Sequence, residues 1–267
     1  MKNDLFTIGQ FTVHGYGLMI AIGAISAYIL AEYRAKRKGM QHELIFNLFW
    51  WCLGGGIIGA KLLYLITQIK NIIADPSLLL HFSEGFVVYG GIIGGILAGY
   101  LFCLKHKLSF LKYFDLVMPS IALAQGFGRV GCLLAGCCYG EETSHAFSLV
   151  FHESKFAPNG VHLIPTQPLS SILNFVHFAV LILISKRVKA DGQVAGFYLI
   201  FYSAGRFILE FFRGDIERGK VGVLSTSQFI AIFLFLIGVG IVVVRGLQAK
   251  KVSVEAPEAE AEETEEE

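Results

Sequence analysis

An all-α integral membrane protein with seven transmembrane helices and a polar, arginine-lined cavity is the fold this sequence predicts. Three observations carry the prediction. The 267 residues are 54% hydrophobic and only 16% charged, with mean hydropathy +0.61, where soluble domains carry roughly 25% charged residues. Seven apolar stretches approach the length of about 20 residues that crosses a hydrocarbon core. Basic residues, finally, gather in alternate connecting loops, as a chain weaving through a bilayer requires.

The first span is about Gly17–Ala31. A long, weakly basic polar segment precedes it and no small-residue cleavage site follows, so it reads as a retained helix rather than a signal peptide. The second span is about Leu44–Ile66 and the third about Phe86–Leu104. The third carries Gly90-Gly91-Ile92-Ile93-Gly94-Gly95 with Gly99 beyond. Small residues at four-residue spacing let helices approach closely in lipid, although amides of such a run can also hold phosphate. The fourth span, about Tyr113–Leu134, runs into GFGRVGCLLAGCCYG from Gly126 to Gly140. Its five glycines loosen helical preference, so the span is expected to break or end there. The fifth, sixth and seventh spans are about Leu169–Ile184, Val194–Phe212 and Thr226–Val244.

Loop charge orients these spans. Arg34, Lys36, Arg37 and Lys38 follow the first span; Lys105, Lys107 and Lys112 the third; Lys186, Arg187 and Lys189 the fifth; Arg245, Lys250 and Lys251 the seventh. Positive loops stay in the cytoplasm, which puts the N-terminus outside and the C-terminus inside. The net charge of +1 conceals an asymmetry: residues 255–267 hold eight of the 21 acids and no base, leaving the other 254 residues at +9. Residues 1–248 therefore read as one membrane domain and 249–267 as an acidic, disordered cytoplasmic tail. No long-period repeat, nucleotide-binding fingerprint or zinc-ligand spacing occurs, and neither a cofactor, a metal nor a nucleic-acid partner is expected.

Arg129 and Arg206 sit where charge is hardest to carry. On insertion scales a charged side chain near the bilayer centre costs roughly 2.5–3.5 kcal/mol, so such a residue usually faces a cavity, and the planar guanidinium fork suits phosphate. Two of them point to a pocket for an anionic, lipid-soluble substrate. The plainer alternatives are an Arg129 that snorkels to the interface and an Arg206 neutralised by Glu210 one helical turn on. Arg213, seven residues beyond Arg206, falls near the same helical face, so two bases would share one acid. Tyr202 precedes Arg206 by four and can offer its hydroxyl to the same cavity. Lys61 is expected to pair with a carboxylate or meet a lipid head group. Among the five cysteines, Cys52 and Cys103 lie in apolar runs and behave as small hydrophobes. Cys132, Cys137 and Cys138 cluster on the external side; simple packing, a disulfide and a functional thiol all fit them, while metal binding has no histidine spacing to support it.

Taken together, these segments resemble the bacterial prolipoprotein diacylglyceryl transferase family over nearly the whole chain to about Val244. His14-Gly15-Tyr16-Gly17-Leu18-Met19 is similar to its His-Trp-Tyr-Gly-Leu-Met opening, and Gly59-Ala60-Lys61-Leu62-Leu63-Tyr64 to its Gly-Ala-Arg-Leu-Gly-Tyr segment. Tyr89-Gly90-Gly91-Ile92-Ile93-Gly94 looks like its His-Gly-Gly-Leu-Ile-Gly motif. Gly128-Arg129-Val130-Gly131-Cys132 falls on Gly-Arg-Leu-Gly-Asn, and Pro165-Thr166-Gln167 on a Pro-Ser/Thr-Gln turn. Tyr202 to Arg213 looks like the Arg-Phe-X-X-Glu-Phe-Phe-Arg helix. Six motifs in the right order are far more specific than any one.

The resemblance implies a seven-helix protein of the bacterial cytoplasmic (inner) membrane. It implies transfer of the diacylglyceryl group of phosphatidylglycerol to the lipobox cysteine thiol of a prolipoprotein signal peptide, with release of glycerol 1-phosphate. Arg129 and Arg206 match the family's two essential arginines, which suit phosphate binding and leaving-group stabilisation. Tyr16 and Tyr202 match cavity tyrosines, and Arg213, Gly90 and Gly91 join the substrate-binding set. The departures are Tyr89 for the motif histidine, Cys132 for its asparagine, Cys137 for an acidic position, and Pro168-Leu169-Ser170 for Leu-Tyr-Glu. The competing expectations are a non-catalytic relative binding anionic lipid or lipopeptide, and a membrane thiol-redox protein using Cys132, Cys137 and Cys138.

Overall fold

The computed structural model describes residues 4–8, 11–75, 85–215 and 219–265, with the backbone alone beyond residue 250. Among them, seven helices are long and apolar enough to cross a membrane. These are α1 (Gly15–Arg37), α2 (Leu44–Thr67), α4 (Val88–Lys105), α5 (Phe110–Ala135), α6 (Thr166–Ile184), α7 (Gln193–Leu209) and α8 (Thr226–Glu265), with the short α3 (Ile69–Ala74) after α2. The membrane-crossing stretch of α7 extends through a 3-10 turn to Phe212, and that of α8 ends at Lys250. Three small antiparallel ribbons, absent from the all-helical expectation, join them: β1 (Asp4–Ile8) with β2 (Phe11–His14), β3 (Leu149–Val150) with β4 (His162–Leu163), and β5 (Lys220–Val221) with β6 (Leu224–Ser225).

The chain forms two compact units. Residues 31–113 make one; residues 1–30 together with 114–267 make the other. In the smaller unit α2 packs on α4 through glycines. A methyl group at Gly59 would run into the carbonyl oxygen of Gly90 and lie 2.9 Å from the Gly94 Cα, and one at Gly55 would lie 2.8 Å from the Gly94 carbonyl oxygen. The backbones touch because no Cβ stands between them, as lipid-embedded helices require in the absence of a strong hydrophobic drive. Close packing thus accounts for the Gly90–Gly95 run.

The larger unit packs by other means. Met118 and Ala122 of α5, Leu181 of α6, and Val194, Ala195 and Tyr198 of α7 form its core. Buried polar contacts cross the same helices. Asp115 of α5 accepts hydrogen bonds from the backbone N–H groups of Gly192 (2.7 Å) and Ala195 (2.8 Å), capping α7 from a neighbouring helix. Ser171 of α6 donates to the Gly126 carbonyl at 2.9 Å. On a second face of α7, Gly196 meets Gly238 of α8.

The fourth span ends within its glycine-rich stretch, as expected: α5 is continuous to Ala135 and closes at Gly136, whose φ is +75°, a left-handed residue that ends the helix. Gly126 and Gly131 instead receive neighbours. The Phe175 ring occupies the space a Cβ at Gly126 would need, and Tyr16 that at Gly131. The backbone of α8 continues as helix into the acidic tail, to Glu265. Ala and Glu, which fill most of that stretch, are both strong helix formers. Residues 266 and 267 of that tail lie outside the described residues.

Candidate active site

The polar end of the larger unit is built where α5 and α7 finish and where α6 and α8 begin. α7 carries Tyr202 and Arg206, then tightens into a 3-10 turn at Glu210–Phe212. Arg213 follows in extended conformation, φ −88° and ψ 131°. It therefore does not continue the helical face, as an unbroken span would have made it do; it joins a strand-like bridge to Gly140 instead. The Arg206 Nη2 lies 2.9 Å from Glu210 Oε2, whose side chain is 2% exposed, and donates to Ser227 Oγ of α8 at 2.8 Å. Arg213 Nη1 lies 3.9 Å from the same carboxylate oxygen. Its Nε donates to Asp215 Oδ1 at 2.9 Å, and its Nη2 pairs with Oδ2. The two bases thus share Glu210, as the spacing predicted, and Asp215 supplies a second acid to Arg213. Burial disfavours the Arg213 charge, but the Asp215 hydrogen bond, with the neighbouring Cys138, Asp215 and Glu210 charges, holds its guanidinium above the ordinary arginine range.

Arg129 has a different status. It projects from α5 six residues before the helix ends, half-buried, and among the described residues it makes no side-chain hydrogen bond or ion pair. Its charge acts on Arg206, Tyr16, Cys132 and Cys138. Tyr16 stands in the first turn of α1 against Gly131. Tyr202 stacks on Tyr198 with ring centroids 5.8 Å apart and planes 3° from parallel, within electrostatic reach of Arg206.

A cavity of about 630 Å³ opens beside this cluster, walled by Tyr139, Glu141, Glu210, Arg213, Asp215 and Gln228 among others. Arg213 is the arginine in its lining; Arg129 and Arg206 are not among the lining residues. The arginine-lined cavity of the sequence reading is thus lined, in this pocket, by the third arginine. Backbone bonds fix the wall: Glu141 N–H donates to Phe212 O at 3.0 Å and Gly214 N–H to Tyr139 O at 3.1 Å. Gly214 admits no side chain, since a Cβ there would lie 2.6 Å from Gly140 O.

Cys132, Cys137 and Cys138 are brought together by the turn that ends α5. Their sulfurs all lie within 4.8 Å of one another, and all are free thiols. The N–H groups of Gly136 and Cys137 both reach the Cys132 carbonyl, at 2.9 and 3.2 Å. Thr166 Oγ1 and Gln167 Nε2 of α6 donate to the carbonyls of Cys138 and Cys137, each at 3.0 Å. Hydrogen bonding with the Cys132 and Cys137 thiols, then the charges of Arg213 and Arg129, pull the Cys138 thiol well below its usual range despite burial.

The remaining candidates belong to the smaller unit. Tyr89 lies in the first turn of α4, 39% exposed. Gly90 is buried against Gly59, and Gly91 faces Gly56. Lys61 stands over two aromatic rings, 5.2 Å from the Tyr64 centroid and 5.5 Å from that of Phe86, a cation–π setting. Sequence reasoning missed Asp215, although its place two residues after Arg213 was visible. It also missed Ser227 and the anchoring of the cysteine carbonyls by Thr166 and Gln167, for which no local signal exists.

Residues 3–244 match the family described as prolipoprotein diacylglyceryl transferase. The phosphatidylglycerol–prolipoprotein diacylglyceryl transferase of Clostridium tetani is 48% identical over 239 residues, spanning 90% of this chain and 96% of its own. A Clostridium perfringens protein named phosphatidylglycerol–prolipoprotein diacylglyceryl transferase 2 is 45% identical over 252 residues, spanning 94% and 98%. The transferase 1 of the same organism is 32% identical over 257 residues, with the same coverage.

Proposed function

Because this chain belongs to the prolipoprotein diacylglyceryl transferase family, we propose that it moves the diacylglyceryl group of phosphatidylglycerol to the lipobox cysteine thiol of a prolipoprotein. One observation carries the assignment of roles: Arg206 and Arg213 are engaged by carboxylates, whereas among the described residues Arg129 keeps its donors uncommitted. A guanidinium with an open fork in an apolar setting binds phosphate bidentately. In this reading Arg129 holds the phosphate of phosphatidylglycerol. The substrate thiolate attacks the glycerol carbon that carries it, a C–S bond forms, the C–O bond to phosphate breaks, and glycerol phosphate leaves with the electron pair.

Arg206, held by Glu210 and Ser227, adds positive potential for the leaving phosphate. The incoming thiol begins near a pKa of about 8.5, and the three arginines favour its thiolate. Tyr16 and Tyr202 offer hydroxyls to the same lipid head group, and Arg213 meets the substrate from the cavity wall. Gly90 and Gly91 act by allowing the close approach of α2 and α4 that sets the start of α4, where Tyr89 orients a substrate oxygen. The chain sits in the bacterial cytoplasmic membrane with its N-terminus and the polar end outside, and with the acidic tail, residues 249–267, in the cytoplasm; the alternating basic loops support that orientation.

The test is direct transfer. Purified protein given glycerol-labelled phosphatidylglycerol and a lipobox peptide is expected to yield labelled peptide and glycerol phosphate. Labelled lipid that binds without reacting would leave only a lipid-binding relative.

A further inference from the structure

The three thiols at the end of α5 are not used by the transfer chemistry, whose nucleophile arrives with the substrate. They nonetheless stand together in one cluster. With every sulfur pair within 4.8 Å, some point lies within about 2.8 Å of all three, close to the Zn–S distance of about 2.3 Å. Closing that gap takes side-chain movements of a few tenths of an ångström. The backbone around them is already fixed: Gly136 and Cys138 both adopt positive φ, +75° and +59°, a conformation an ordinary side chain avoids, and α6 holds the carbonyls of Cys137 and Cys138.

We propose that Cys132, Cys137 and Cys138 form a three-thiolate site for a soft d10 cation of the Zn(II) or Cu(I) class, which locks the turn after α5. Thiolates select such ions. Three of them around a divalent ion leave one net negative charge, and the Arg129 and Arg213 charges that act on Cys138 offset it. A disulfide fits the cluster less well. Adjacent Cys137 and Cys138 bridge each other only with strain, any other pairing strands a third thiol, and a bond of about 2.05 Å requires a specific dihedral. The consequence of the site is positional. The residues that follow, Tyr139 and Gly140, wall the cavity and carry the bridge to Arg213, so a bound ion would stiffen the strand on which Arg213 rides.

The experiment uses the full-length protein, reduced and stripped of metal in detergent, titrated with Cd(II) and followed by thiolate-to-cadmium charge transfer in the ultraviolet. One equivalent per chain is expected, unchanged in Cys52→Ala/Cys103→Ala. Each of Cys132→Ser, Cys137→Ser and Cys138→Ser is expected to weaken binding by more than the roughly 10–100-fold that loss of an outer hydrogen-bonding partner costs a metal site. The wild-type protein supplies a readout independent of how the variants fold. Cd(II) should shield Cys132, Cys137 and Cys138 from alkylation, mapped by mass spectrometry, and should raise the unfolding temperature. Absence of charge transfer in the reduced protein, binding that survives the triple serine variant, or alkylation of these thiols unaffected by Cd(II) would each overturn the proposal. Because none of these readouts is transferase activity, they stand or fall separately from the proposed reaction.

Discussion

The contact between α2 and α4 and the contacts among α5, α6 and α7 solve the same problem in opposite ways. In the first, glycines let two backbones touch with no side chain between them. In the second, carboxylate and hydroxyl side chains are buried and paired across helices, as with Asp115 on Gly192 and Ala195 and Ser171 on Gly126, and Arg206 of α7 reaches on to Ser227 of α8. Glycine packing needs no partner chemistry and tolerates none. Polar packing creates a site, since each buried charge must be answered, and Arg129, which makes no side-chain hydrogen bond or ion pair among the described residues, is available to a ligand. The difference teaches where to look for function in a lipid-embedded chain: at unequal accounting of charge, and away from the tightest packing.

The contrast can be broken from either side. Glu210→Ala leaves Arg206 without its carboxylate in a buried setting, and breaking one side of such a pair costs about 3–5 kcal/mol; the unfolding midpoint in detergent should fall steeply, and activity with it. Asp115→Ala orphans the N–H groups at the start of α7, a loss of about 1.5–3 kcal/mol for bonds to a charged acceptor. It should appear as faster hydrogen exchange at Gly192 and Ala195. In the glycine contact, Gly59→Leu must push α2 from α4. The overpacking cost of about 1–3 kcal/mol should register as lower thermal stability with little change in turnover per folded molecule. Tyr89→Phe removes one hydroxyl and should lower transfer by the equivalent of about 0.5–1.5 kcal/mol, a few-fold in rate, with the pH profile still following the peptide thiol.

The seven helices were legible because their signal, apolar length interrupted by basic loops, is carried by composition alone. α2 and α6 end within a residue or two of their sequence-derived limits. The glycine contact was legible for the same reason, through four-residue spacing. What the sequence concealed was tertiary. Gly126 and Gly131 have the composition of a break, yet α5 passes through them because Phe175 and Tyr16 fill the space beside them. Arg213 was assigned by helical periodicity, which fails once α7 tightens and turns at Glu210. The three cysteines lack any metal-binding spacing, and only the turn at Gly136 brings them together. Arg129 and Arg206 were identified by position, but their unequal pairing depends on Glu210 and Ser227 reaching one and not the other.

That inequality is tested most directly by the transferase activity of Arg129→Ala, measured with phosphatidylglycerol and a lipobox peptide at matched amounts of folded protein. Losing a charge-assisted hydrogen bond to the phosphate in the transition state predicts a loss of about 1.5–3 kcal/mol, or one to two decades in kcat/KM. Arg129→Lys should fall in the same direction, because an ammonium lacks the planar fork. Full activity in Arg129→Ala would contradict the account and return the phosphate to a cation already engaged by its own carboxylate.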